Sequence, residues 1–204
     1  MEINSKKSLS VQLSHLSVFA KPNPSLEQYP TDSEVAGEML WFAKLNGDIA
    51  GKTIADFGCG TGILGIGCML LGAKKVIFVD KDENALVMLK KNLGALGISK
   101  GYEIVNEDIS KINVKTDAVF QNPPFGVQKS HADRVFLENA YKTARVIYSL
   151  HKTESISFIS KLSYEHSFNI THYFEFDFPL KKTMAFHTKK IVRIKVGCWR
   201  MEKH

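Results

Sequence analysis

The stretch Gln121-Asn122-Pro123-Pro124-Phe125-Gly126 gathers groups able to hold an amino nitrogen without a strong base. Two adjacent prolines remove two backbone donors, and Pro123 forces Asn122 into extended backbone. What remains is a rigid set of acceptors: the Asn122 side-chain oxygen and the Pro123 carbonyl. A planar NH2 group that gives both hydrogens to such acceptors has its lone pair drawn out of conjugation and aimed at an electrophilic methyl group. Alignment and preorganised electrostatics then do the catalytic work. Phe125 adds a face on which a base can stack, worth ~1–3 kcal/mol. That is comparable with the few kcal/mol needed to unstack a target nucleotide. A Pro-Pro turn closing a strand over a core phenylalanine is the plainer alternative.

A second cluster lies upstream, in Asp56-Phe57-Gly58-Cys59-Gly60-Thr61-Gly62. Its glycines allow a sharp turn and close backbone approach to a ligand. A dinucleotide fingerprint would need a third glycine at position 63, which is Ile63. A pyrophosphate also disfavours a neighbouring carboxylate such as Asp56. The sulfonium and ammonium of S-adenosylmethionine, both cationic, favour one. Asp80 is placed to accept two ribose hydroxyls, a role open to either cofactor, and Asp108 to accept an adenine amino group. Each acid has a bland alternative as a cap or a strand end. Their recurrence at the ends of three successive strands favours a site.

The elements that must carry these residues read as follows. Leu9, Leu13 and Leu16 predict an amphipathic helix over 6–19, ended by Lys21-Pro22-Asn23-Pro24. Thr31-Asp32-Ser33-Glu34 is a capping-box pattern opening a second helix with Val35, Met39, Leu40 and Leu45 on its apolar side. Strands are expected near 53–57, 75–80, 102–106, 116–121, 155–160, 171–178 and 190–199. Helices are expected near 62–72, 83–96, 132–149 and 162–168. The early alternation predicts an α/β fold, a parallel sheet with helices on both faces. The last two strands, joined through Pro179–Thr183, predict an antiparallel edge hairpin. Ligands of such sheets sit beyond the carboxyl ends of the strands, where the strand order reverses.

The 204 residues are 44% apolar and 24% charged, which excludes disordered and fibrous classes. A single domain is expected over 1–204, with a helical segment over 1–50 and the core over 51–204. The longest apolar runs fall short of the ~20 residues of a membrane span, and the amino-terminal residues show no secretory signal. Cys59, Cys68 and Cys198 form no C-x-x-C pair, so a reducing, cytoplasmic setting is expected. The net charge of +6 is concentrated at the carboxyl end, where residues 181–204 hold eight Lys and Arg against the single Glu202. That points to a polyanion contact, or else to a lysine-protected sheet edge. The length leaves no room for a separate target-recognition domain. A structured RNA read by shape is expected, with Lys181, Lys182, His187, Lys189 and Lys190 on phosphates.

The glycine turn and Asn-Pro-Pro-Phe resemble class I S-adenosylmethionine-dependent amino-methyltransferases, with a Rossmann-like, seven-stranded, mostly parallel sheet. Leu26–Thr31, Asn122–Gly126, Tyr148-Ser149-Leu150-His151-Lys152 and Phe186-His187-Thr188-Lys189-Lys190 are similar to the methyltransferase-like protein five family. Its members methylate adenine N6 in small-subunit ribosomal RNA. The resemblance runs from about residue 26 to the carboxyl terminus. It departs at Thr188, where the family usually carries lysine, and at Thr61, where some relatives carry cysteine. The resemblance implies that Gln28 and Thr31 lie over the cofactor. It also implies that Gly58, Thr61, Ile63, Asp80 and Asp108 contact it, and that Asn122, Pro123, Pro124 and Phe125 hold the adenine. With Asp56, Gly60, Gly62 and Asn122 these form the expected cofactor site. A Trm112-type zinc-ribbon activator protein is implied as a partner, and no metal is expected in the chain itself. A protein glutamine-N5 methyltransferase, a guanine-N2 or cytosine-N4 enzyme, and a non-catalytic RNA-binding subunit remain alternative readings.

Overall fold

The computed structural model describes residues 3–19, 28–125, 132–181 and 191–204. The helices are α1 (Lys6–Ser14), α2 (Ser33–Leu45), α3 (Ile63–Leu70), α4 (Glu83–Ala95), α5 (Ala132–Thr143) and α6 (Ile156–Glu165). The strands are β1 (Thr53–Phe57), β2 (Lys75–Asp80), β3 (Tyr102–Asn106), β4 (Ala118–Gln121), β5 (Val146–Lys152), β6 (Phe168–Lys181) and β7 (Ile191–Lys203). They form one seven-stranded sheet in the order β3-β2-β1-β4-β5-β7-β6. The pairs among β1 to β5 are parallel, whereas β7 runs antiparallel to both β5 and β6.

Strand alternation sends successive side chains to opposite faces and so builds two cores. Ile54, Phe78, Phe120, Tyr148 and Leu150 face α1, α2, α3 and α4. Ala55, Phe57, Val79, Val119 and Ile147 face α5 and α6. The order turns back between β1 and β4, so the crevice of the sheet opens at the carboxyl ends of those two strands.

The amino-terminal helices are fixed onto this sheet by polar contacts as well as by packing. Ser5 and Ser8 form a reciprocal capping box at the start of α1. The Asp32 carboxylate caps α2 by accepting from the Glu34 and Val35 amides. Asn92 on α4 donates to the Ser17 and Thr61 carbonyls and accepts from the Ser17 amide, pinning the segment after α1 to the glycine turn. Asp48, after α2, accepts from Tyr148 Oη at 2.6 Å and Arg200 Nε at 2.9 Å. Those bonds tie the segment to β5 and β7.

Seven strands are present, but the fifth is not at 155–160. The helix expected over 132–149 ends at Thr143, and Val146–Lys152 forms β5. Residues 155–160 lie at a 3-10 turn and in α6. Ile156 and Phe158 suggest a period of two. Burial instead follows Ile159, Leu162 and Ser163, the spacing of a helix face, and Ile156 is exposed. The helix expected at 162–168 is the end of α6, and β6 begins at Phe168. Leu45 is 72% exposed rather than on the apolar side of α2. α1 stops at Ser14, short of residue 19. Pro179 lies within β6, an edge strand, the position in a sheet where proline is tolerated.

Candidate active site

The loop from β1 to α3 lies at the reversal point. Gly58, Gly60 and Gly62 adopt φ of 64°, 54° and 94°, left-handed backbone in which any other side chain is strained. The turn is closed by the Gly62 amide donating to the Cys59 carbonyl at 2.8 Å, and is tied to β2 by the Cys59 amide on Val79 at 3.0 Å. Aromatic rings press on it. A Cβ on Gly58 would lie 2.9 Å from Phe136, and one on Gly60 would lie 2.9 Å from Phe19. Neither phenylalanine carries a signal in the sequence.

Asp80 ends β2 with one backbone donor on each oxygen: the Gly60 amide at 2.8 Å and the Asp82 amide at 2.9 Å. A carboxylate oxygen accepts two bonds, so each retains capacity for a hydroxyl. Burial raises the Asp80 pKa. Thr61 is buried, and Ile63 opens α3, partly buried. Asp108 caps the short 3-10 turn Ile109–Lys111, accepting from the Ser110 amide and hydroxyl, and those bonds lower its pKa.

Asp56 sits beneath the turn, 1% exposed, accepting from the Gly65 amide at 2.8 Å. Gly65 is packed so closely that a Cβ there would meet Phe78 at 2.2 Å. Burial pushes the Asp56 pKa up to about 7, the Asp80 charge adds to this, and the Gly65 bond opposes it. This side chain holds the turn to α3. A folded pKa above the unfolded value near 3.8 gives stability that is full below ~3.8 and lost as pH rises through about 7. Asp56→Asn keeps an oxygen for Gly65 and removes the titration. Chemical denaturation should show the variant gaining on the parent as pH rises from 5 to 8; a constant difference would contradict a protonated Asp56.

The fourth strand delivers Asn122. Its Nδ2 donates to Thr31 Oγ1 at 2.9 Å, while its buried Oδ1 has no hydrogen-bond partner among the described residues. Gln28 Nε2 donates to Asp82 Oδ2 at 2.5 Å. Residues 28–31 therefore run from beyond β2 to beyond β4, across the glycine turn. Pro123 is buried, and Pro124 and Phe125 are half-buried. The Phe125 ring meets Phe178 of β6 edge-on, with centroids 6.1 Å apart.

A buried polar chain beside this motif is invisible to the sequence reading. Gln121 Nε2 donates to Ser149 Oγ at 3.0 Å, and Ser149 Oγ lies 2.6 Å from His151 Nε2. His151 Nδ1 lies 3.5 Å from Asp133 at the start of α5. Burial lowers the His151 pKa, with the Asp133 contact opposing. With residues 146–149 expected as helix, the alternation of Ser149 and His151 toward one face had no meaning.

The structure thus brings together Gln28, Thr31, Gly58, Gly60, Gly62, Asp80, Asn122, Pro123, Pro124 and Phe125 at one end of the sheet, with Asp56 as support. Lys182, His187, Lys189, Lys190 and Gly126 lie outside the described residues, as does the Lys181 side chain. A glycine cradle, a carboxylate with spare capacity and an orphaned buried acceptor fit S-adenosylmethionine and an amino substrate. Among the described residues no cluster fit for a metal ion is found.

The family description "Methyltransferase small domain" matches residues 35–156. The rRNA N(6)-adenosine-methyltransferase METTL5 of Danio rerio is 34% identical, covering 93% of this chain and 95% of its own. The Drosophila melanogaster protein of that name is 34% identical over 90% of each. The crystal structure of PH1948 from Pyrococcus horikoshii superposes with a TM-score of 0.93 at 42% identity, covering 98% of both chains.

Proposed function

This chain belongs to the methyltransferase small domain family, and we propose that it methylates adenine N6 in structured RNA, with S-adenosylmethionine as methyl donor. Small-subunit ribosomal RNA is the substrate this reading favours. The observation that carries it is the buried Asn122 Oδ1 at the tip of β4, unpartnered among the described residues and on the far side of β1 from Asp80. An orphaned buried acceptor costs ~1–3 kcal/mol, a cost relieved when an N–H enters.

S-adenosylmethionine, when bound, supplies an electrophilic methyl carbon on a positively charged sulfur. The chain's residues do the rest. Asp80 and the glycine turn fix the donor's end of the crevice. Asn122 Oδ1 and the Pro123 carbonyl accept the two hydrogens of the exocyclic amine, turning its lone pair toward that carbon. Phe125, braced by Phe178, offers a face to the base. Neither acceptor is a strong base, and none is needed, because the nitrogen becomes acidic only after it is alkylated.

The basic residues Lys181, Lys182, His187, Lys189 and Lys190 supply the phosphate contacts in this reading. A zinc-ribbon activator of the Trm112 type and a cytoplasmic setting belong to the same proposal. Among the described residues no helix is long and apolar enough to cross a membrane.

Incubation with labelled S-adenosylmethionine and total RNA, followed by digestion to nucleosides, should yield N6-methyladenosine from the small-subunit fraction. Label recovered as methylglutamine in protein would favour the amide substrate instead. Label in N2-methylguanosine or N4-methylcytidine would replace the base.

A further inference from the structure

The side-chain amide of Asn92, buried on α4, meets three backbone groups. Its Nδ2 donates to the Ser17 and Thr61 carbonyls, each at 2.9 Å, and its Oδ1 accepts from the Ser17 amide at 2.9 Å. A backbone carbonyl only accepts and a backbone N–H only donates, so this amide has one orientation. It fixes the segment that follows α1 to the residue after Gly60. Because the bonds at Ser17 go to main chain, they set where that segment runs whatever side chain stands there.

Two residues on, Phe19 is delivered to the glycine turn. Its ring points tip-first at Gly60: a Cβ there would lie 2.9 Å from Cζ, with Cε1 and Cε2 at 3.6 and 3.8 Å. The space that glycine leaves at this position is therefore taken, in part, by a ring of this chain. The Gly60 amide in turn donates to Asp80 Oδ2 at 2.8 Å. Apolar surface from the amino-terminal segment thus stands against the residue whose N–H holds the carboxylate read as the ribose acceptor.

We propose that Phe19 is a further donor-binding residue, its ring forming an apolar wall of the S-adenosylmethionine site and held in place through Asn92. The assignment rests on the reading of the glycine turn as the donor's seat. Phe19 is half-buried, which leaves apolar surface for the donor to cover, and covering it favours binding. A ring at this place also keeps water from the Gly60–Asp80 bond, and a hydrogen bond to a carboxylate is stronger where water is excluded. The segment after α1 then shares in holding the donor with residues 28–31, which cross the same turn.

Calorimetric titration of the full chain with S-adenosylmethionine tests this independently of catalysis. Phe19→Ala should raise Kd by roughly five- to ten-fold, the loss that goes with uncovering part of a phenylalanine ring. Phe19→Leu restores apolar bulk and should stay within about three-fold of the parent. Leu13→Ala is the comparison for packing alone. Leu13 is buried in the core under α1, so its truncation should lower the melting temperature more than Phe19→Ala does, and leave Kd within about two-fold.

An unchanged Kd in Phe19→Ala would overturn the proposal. So would a lowered Kd, which would mean that the ring stands in the donor's own place. An equal rise in Leu13→Ala would also overturn it, because lost packing would then account for both. Asp80→Ala tests the seat separately. Donor affinity unchanged in both Asp80→Ala and Phe19→Ala would overturn the reading of the turn itself. A raised Kd in Asp80→Ala beside an unaffected Phe19→Ala would remove the Phe19 assignment alone.

Discussion

Asn122→Ala should lower the rate of methyl transfer by ~10²- to 10³-fold, the range seen when one preorganised group aimed at a reacting centre is removed. Its affinity for S-adenosylmethionine should change little. The argument is geometric. Asn122 makes a single described side-chain bond, to Thr31, and its Oδ1 meets no donor among the described residues. Removing it therefore frees a place that only the incoming amine was to fill. The amine, with one hydrogen unaccepted, keeps its lone pair conjugated with the ring, and the purine N6 is then a poor nucleophile. Single-turnover kinetics with saturating donor measure the loss directly. Calorimetric titration of the donor gives the second number. Equal losses in both would place Asn122 on the donor.

Asp80→Ala should have the opposite signature. Each carboxylate oxygen holds one amide, Gly60 or Asp82, and keeps capacity for a ribose hydroxyl. Hydrogen bonds to a charged acceptor contribute ~1.5–3 kcal/mol each. Loss of two should raise the donor Kd by ~100-fold or more, and the freed Gly60 amide should loosen the turn and lower the melting temperature. With saturating donor, the rate should recover most of its parent value, since Asp80 touches no reacting atom. An unchanged Kd would move the ribose elsewhere. Because burial raises the Asp80 pKa, donor affinity in the parent should also begin to fall at a higher pH than for an ordinary carboxylate, as pH is lowered through that raised value.

Much of this site is legible in the chain because its requirements are local. Left-handed backbone at 58, 60 and 62 asks for glycine, and a rigid extended Asn122 asks for Pro123 after it. An acid at a strand end is likewise visible in one dimension. What the sequence does not show depends on partners far along the chain. Thr31 meets Asn122 across 91 positions, and Asn92 reaches Ser17 across 75. Phe178 reaches Phe125 only because β6 folds past the end of β5. The displaced fifth strand has a different cause. The link from α5 to β5 holds no proline or glycine, so helix and strand run together without a break signal, and the Ser149–His151 pair was hidden with it.

The lengths of the last two strands carry a geometric consequence. β5 pairs with β7 only as far as Val196, opposite Lys152 at its carboxyl end. Beyond that rung, Ile191–Lys195 pair with Asp177–Lys181 alone. At ~3.3 Å per residue, this two-stranded ribbon extends about 17 Å past the edge that holds the acceptor motif. A two-residue insertion in each strand would lengthen that ribbon by about 7 Å while preserving which face each side chain shows.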